Sequence, residues 1–265
     1  MRLSIVPTLI LLFFVTLFSS CKKEVVSRNL EFEALNPAQP DTTARLWKPI
    51  LLSAPDEFTI DAPGSTTSSD YVAEINEIRG LQANLNSDQK DLLEYWSAGG
   101  ILRWNEILRE LVAKHNLPPY QNEDGVYPLP NSANPFSYPE FPFSNPPYAA
   151  RAYAYVSAAQ YDALVAANYL KSKYKRPSPN KINSDVSLLV PSSQVSAYAY
   201  PSEQSVIDAV TVEVLKLLFP TEIAYVQQKA QEHKISRMIA GASTRSDLEA
   251  GEKLGKLVAA KFVSR

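Results

Sequence analysis

One cysteine in 265 residues, Cys21, excludes a disulfide framework. A net charge of −2, from 26 basic and 28 acidic residues, excludes the concentrated basic face that nucleic acid requires. Histidines are equally sparse: there are two, His115 and His233. No cluster with metal-ligand spacing is read. No segment alternates apolar and polar residues as a half-buried strand does, and no internal repeat is found. Glycines number only eight against twenty prolines, which gather in the middle of the chain.

What is present is a chain that is 45% hydrophobic and 20% charged, enough to bury a substantial core. Its first 21 residues read as a targeting segment. Arg2 supplies a positive start, and Leu9 to Phe18 form an apolar stretch too short for a confident membrane span. Small residues then precede the lone cysteine in Leu17-Phe18-Ser19-Ser20-Cys21, as in a bacterial lipoprotein processing box. A lipid on Cys21 would anchor a soluble domain in the bacterial cell envelope, on the periplasmic or surface side. Residues 22–69 are polar and proline-punctuated, a tether followed by extended packing segments. The remainder, 70–265, reads as one helical domain.

The spacing predicts a helix from Asp70 with Tyr71, Val72, Ile75, Ile78 and Leu81 on one face. Another begins at Ser87-Asp88-Gln89-Lys90 and stops at Gly99-Gly100, and Ile101 to His115 forms a third. Residues 120–147 form a long Pro/aromatic loop. An alanine- and tyrosine-rich helix of about 25 residues follows, apolar most of the way round and therefore central. After a second loop reaching Tyr200, Pro201-Ser202-Glu203-Gln204 opens a helix apolar on nearly every face. Thr221 caps the next, which runs toward Met238, and a last helix covers Asp247 to Phe262. The fold class is all-α: a bundle of about six or seven helices with long Pro/aromatic loops.

Three segments carry the candidate chemistry: Lys171 to Pro177, Pro201 to Gln204, and Ser236 to Asp247. Ser202 lies at a helix start, where free N–H groups and the helix dipole attract an anion. Arg176 and Arg237 offer forked contacts to phosphate oxygens, and Lys171 or Lys173 adds a point charge. Glu203 would weaken anion binding if it points inward. His233 stands one turn before Arg237, read either as an exposed helix histidine or as pointing toward the same pocket.

In order and spacing these segments resemble the phosphatidic acid phosphatase type 2 and vanadium-dependent haloperoxidase superfamily. Arg176-Pro177, Pro201-Ser202, Ser236-Arg237 and Asp247 match its three motifs, while Gln204 and Ser243 stand where it has histidines. Arg103-Trp104-Asn105-Glu106 and the helix after Tyr148 resemble its bacterial haloperoxidase-like branch. The resemblance implies a phosphate-type oxyanion or phosphate ester held by Lys171, Arg176, Ser202, Glu203 and Arg237. It gives Gln204, Ser243 and Asp247 the catalytic positions, vanadate the place of a cofactor, and leaves a homodimer open. Two readings follow: a membrane-anchored phosphatase- or haloperoxidase-like enzyme with impaired chemistry, or a non-catalytic oxyanion-binding or assembly lipoprotein.

Overall fold

The computed structural model describes residues 32–38, 43–115 and 146–264. The leader with Cys21, the start of the tether and all but the last two residues of the 120–147 loop lie outside them. Among the described residues there are eight α-helices and no strand: α1 (Ser69–Ala83), α2 (Ser87–Ser97), α3 (Gly100–His115), α4 (Pro146–Tyr174), α5 (Pro179–Ile182), α6 (Glu203–Leu218), α7 (Ile223–Ile239) and α8 (Arg245–Val263). None of these helices is long and apolar enough to cross a membrane. The architecture is the expected all-α bundle. Its helix count exceeds expectation through the single turn of α5, which sits inside a loop with no apolar period.

Local chemistry sets most boundaries. The Ser68 hydroxyl accepts from Tyr71 N at 3.2 Å and starts α1. Asn86 and Gln89 close a reciprocal capping box on α2, at 2.8 and 3.1 Å. Gly99 separates α2 from α3 at φ +113°, a region open to glycine and strained for other residues, so Gly100 belongs to the next helix rather than to the stop. The start of α7 differs from expectation. Pro220–Glu222 forms a 3₁₀ turn, and Glu222 rather than Thr221 occupies the cap position. Its carboxylate is drawn away to Lys114 and His115, at 2.7 and 2.8 Å.

Helix α6 is the axle of the molecule. Every residue from Ser205 to Val212 is buried, as are Val214 and Leu215. The all-round apolar pattern of its sequence is satisfied by α4 on one side, α7 on another and α8 on a third. The α6–α8 contact is the closest, because Gly251 and Gly255 turn bare backbone toward α6. A Cβ at Gly255 would lie 2.5 Å from Val206 O and 2.6 Å from Ala209 Cβ, and one at Gly251 would lie 2.5 Å from Ser202 O. Two of these neighbours are backbone oxygens and the third is a Cβ fixed to the backbone, so none can swing aside. Gly255→Ala is therefore expected to cost about 1–3 kcal/mol through overpacking, read as a lower urea midpoint, despite the better helix propensity of alanine.

The extended segment before α1 is strapped across α4. Buried Asp162 accepts three consecutive backbone N–H groups, from Ile50, Leu51 and Leu52, at 2.6, 2.8 and 2.9 Å. Trp47 stacks on Tyr161, and the Tyr174 and Tyr200 hydroxyls donate to Ile60 O and Asp61 O. The composition of α4 follows from this. Its alanines (Ala152, Ala159, Ala163, Ala166, Ala167) let the core close in, while Tyr161 and Tyr174 reach out to the strap.

Candidate functional site

A cleft of about 690 Å³ opens between the end of α4, the starts of α3 and α6, the second half of α7 and the 193–198 loop. Its walls are largely apolar, with Leu35, Trp96, Leu102, Leu164 and Val195. Its polar floor carries Lys171, Glu203, Gln204, His233 and Arg237. A constriction of about 10 Å³ continues from that floor to Ser202 and Ser243, room for one water. The roof hangs on side-chain amides. Gln194 Nε2 donates to Leu35 O and Ser97 O, at 2.6 and 2.8 Å. Gln82 clasps Ser187 from both ends of its amide, at 2.7 and 3.0 Å, and also reaches Ile239 O.

Five of the residues singled out by sequence lie here together: Lys171, Ser202, Glu203, Gln204 and Arg237, with Ser243 at the inner end. Lys171 is buried and bonds Glu203 at 2.9 Å, whereas Lys173 is exposed. Glu203 does point inward. Burial pushes its carboxyl up, but the charge and hydrogen bond of Lys171, with the charge of Arg237, outweigh burial and hold it below the ordinary value. The cation of Lys171 is thus already neutralised by the chain itself. Ser243 Oγ donates to Ser202 Oγ at 3.2 Å.

Arg176 and Asp247 do not join this cleft. They line neither cavity and bond each other: Arg176 Nε donates to Asp247 Oδ1 at 3.0 Å, with a second, closer contact from its Nη2. Ser246 Oγ completes the grip at 2.9 Å, and the guanidinium lies 4.5 Å from the Tyr200 ring centroid. The other Asp247 oxygen accepts from Thr244 N and Oγ1, at 2.7 and 3.0 Å, capping α8. Burial raises the Asp247 pKa even against Arg176 and Thr244. The pair is a buried structural bolt at the base of α8, which departs from the phosphate and catalytic roles that the resemblance implies for them. Asp247 O also accepts from Ser202 N at 2.9 Å, tying that bolt to the start of α6.

Arg237 is the cation left over. It is buried, and among the described residues its one hydrogen bond is a 3.5 Å contact from Nη2 to Gln194 O and its Nε has no partner. Burial draws its pKa down, while Glu203 and Asp208 push it back up. Near it lies the N-terminus of α6. Ser202 occupies the cap position without using its side chain to cap, so the first N–H groups of that helix are not closed off by it.

Sequence reasoning missed the most tightly built group on this floor. His233 is not an exposed helix histidine: it is 1% exposed and lines the cleft. Its Nδ1 lies 2.7 Å from Asp208 Oδ1, which also accepts Trp104 Nε1–H at 2.8 Å. Its ring stacks on Trp96, with centroids 4.1 Å apart and planes 13° apart. The clue was present in the sequence. Val226, Ala230, His233 and Arg237 recur at helical spacing and are all buried. Arg103, by contrast, serves packing: it bonds Tyr95 O and Glu106 and lies over the Tyr95 ring.

The start of the central helix and the buried Arg237 thus line one small cavity of an all-α bundle. No protein-family profile and no curated protein matches the chain. Among solved structures, a bacterial vanadium-dependent iodoperoxidase is similar, with a TM-score of 0.64 and 18% identity over 91% of this chain and 62% of that one. At that identity the likeness is one of fold: the all-α bundle of this chain is similar to that of the iodoperoxidase. The chain spans less than two thirds of that iodoperoxidase.

Proposed function

We propose that this chain is an oxyanion-binding protein on the haloperoxidase fold, taking phosphate or a phosphate ester on the floor of the cleft. One observation carries the reading: among the described residues, the buried guanidinium of Arg237 keeps an unpartnered Nε near the start of α6, whose Ser202 side chain makes no cap bond. A buried charged donor without an acceptor is costly, and an anion supplies the acceptor. Helix dipole and arginine then act on the same charge. The apolar walls suit an ester whose organic part is hydrophobic.

The same residues test the cofactor that the resemblance implies. At position 243 stands a hydroxyl bonded to Ser202, not a nitrogen that could ligate vanadium. Position 243 therefore offers vanadium no nitrogen, the floor suits a phosphate-type oxyanion, and no halide oxidation is derived. Calorimetric titration of the full chain with orthophosphate, and separately with orthovanadate, tests this. Binding of both as simple anions, with no peroxidase activity toward bromide or iodide, is expected. Absence of heat at millimolar concentrations of either would sink it.

The lipoprotein reading of Cys21 places this cleft at a membrane surface of the bacterial envelope. Cys21→Ser is expected to move the chain from the membrane fraction to the soluble fraction. Retention of the variant in the membrane fraction would refute the anchor.

A further inference from the structure

We infer that His233, held by Asp208, is a general base that activates water for hydrolysis of the phosphate ester bound at Arg237. The inference rests on the oxyanion reading above and adds a catalytic residue outside the three motifs. Asp208 Oδ1 accepts from His233 Nδ1, which fixes the tautomer and leaves Nε2 as the basic nitrogen. Trp104 Nε1 donates to the same Asp208 oxygen, and the Trp96 stack sets the ring plane. Among the described residues, Nε2 has no hydrogen-bond partner, although the residue lines the cleft.

Two acceptors converge at the cleft floor. Gln204 Oε1 is buried and unpartnered. A Cβ built on Gly100 would lie 2.6 Å from Gln204 Oε1, 2.6 Å from His233 Cε1 and 3.3 Å from His233 Nε2, so the amide oxygen and the imidazole edge face the same bare backbone. Two neighbouring acceptors without a donor call for a molecule with two donors, and water is the smallest. Donating to both, it turns its lone pairs outward. Arg237, one helical turn past His233, holds the phosphoryl oxygens on that side.

The step then balances without another reactant. His233 Nε2 takes one proton as the water oxygen forms its bond to phosphorus. The phosphorus–oxygen bond to the organic group breaks on the far side, where the departing alkoxide takes a proton from solvent, and the imidazolium returns its own proton to solvent. The products are an alcohol and inorganic phosphate. Asp208 is a positioning residue: it touches neither water nor ester and acts through the ring. No phosphohistidine forms, which separates this route from a histidine nucleophile.

Three measurements on the purified full chain test it. The first is orthophosphate binding by calorimetry. The second is turnover of p-nitrophenyl phosphate by the natural chain, by His233→Gln and by Asp208→Asn. The third is carbethoxylation of the unmodified chain by diethyl pyrocarbonate, mapped by mass spectrometry with and without orthophosphate. Loss of general base catalysis predicts a fall in kcat of about 10²–10⁴-fold in His233→Gln, with the orthophosphate Kd unchanged within about threefold. Asp208→Asn lowers kcat while KM holds, a split that a purely structural role would not give. His233 is modified in the natural chain and protected by orthophosphate, which tests the geometry even if both variants fail to fold. Phosphate binding without turnover, turnover retained in His233→Gln, or a phosphate-indifferent His233 overturns the inference and leaves the anion site standing. Absence of phosphate binding overturns the site itself.

Discussion

Arg237→Gln weakens orthophosphate binding by roughly 10- to 100-fold, the worth of about 1.5–3 kcal/mol for hydrogen bonds to a charged group. The size follows from the surroundings of the guanidinium. Lys171 already has Glu203 at 2.9 Å, and Arg176 already has Asp247, so neither brings an unspent positive charge to the cleft. Among the described residues, Arg237 has only Gln194 O at 3.5 Å and a free Nε. Glutamine keeps much of the side-chain length and a donor while removing the charge. Arg176→Gln makes a poor mimic of this loss, because Arg176 lies off the cleft. Calorimetry on the two variants separates the roles: an affinity that falls equally in both would contradict the assignment of Arg237 as the anion's cation.

Arg176→Met is the most destabilising substitution expected, at about 3–5 kcal/mol, because it strands a buried carboxylate. Asp247 is fully buried, and its pKa is raised by burial even with the arginine beside it. The sign of the pH dependence follows. A folded pKa above the unfolded value near 3.8 means that the folded state prefers the protonated carboxyl. The unfavourable contribution is present once pH rises through the folded pKa and disappears below the unfolded one. Without Arg176 the folded pKa climbs further, so the stability gap between variant and natural chain narrows as pH falls from 7 toward 4. Urea midpoints at the two pH values measure it, and a gap that widens in acid would show that Arg176 is not compensating Asp247. Arg176→Met combined with Asp247→Asn recovers part of the loss, since the amide oxygen still accepts from Thr244 N and caps α8.

The helices were legible because their signals are local. The box of Asn86 with Gln89, the glycine pair after α2 and the all-round apolar run of α6 each declare themselves within one or two turns. The anion site was legible to the extent that it is built from helix ends: Ser202, Glu203 and Arg237 converge as their positions suggested. What escaped was the choice of partners. Arg176 and Arg237 look alike in a string, yet one meets a carboxylate 71 residues away and the other meets a cleft. Asp208, the one acidic residue within the buried apolar run from Ser205 to Val212, was a hint that some basic or donor group must come to it. Only the packing of α7 and α3 against α6 shows that His233 and Trp104 answer, from 25 and 104 positions away. The strap over α4 was hidden for the same reason, since nothing beside Asp162 in the sequence announces three amides from residues 50–52.

The amide clasps that hold the roof give it an independence that the bundle lacks. Among the described residues, 187–198 are held mainly through Gln82, Gln194, a Ser193–Asn36 bond, a main-chain bond from Leu189 N to Ala240 O and one isolated bridge from Tyr198 to Pro177, without a long helix ladder or sheet to enforce cooperativity. Such a segment is a small opening unit of its own, with a free energy of release well below that of global unfolding. Its backbone amides should exchange with solvent while those of α6 stay locked. Gln194 gives its carbonyl to Arg237 and its side chain to the hinge beside Gly99, so each opening of the roof would also uncover the floor. Access to the cleft and the exposure of its arginine are then governed by the same few bonds.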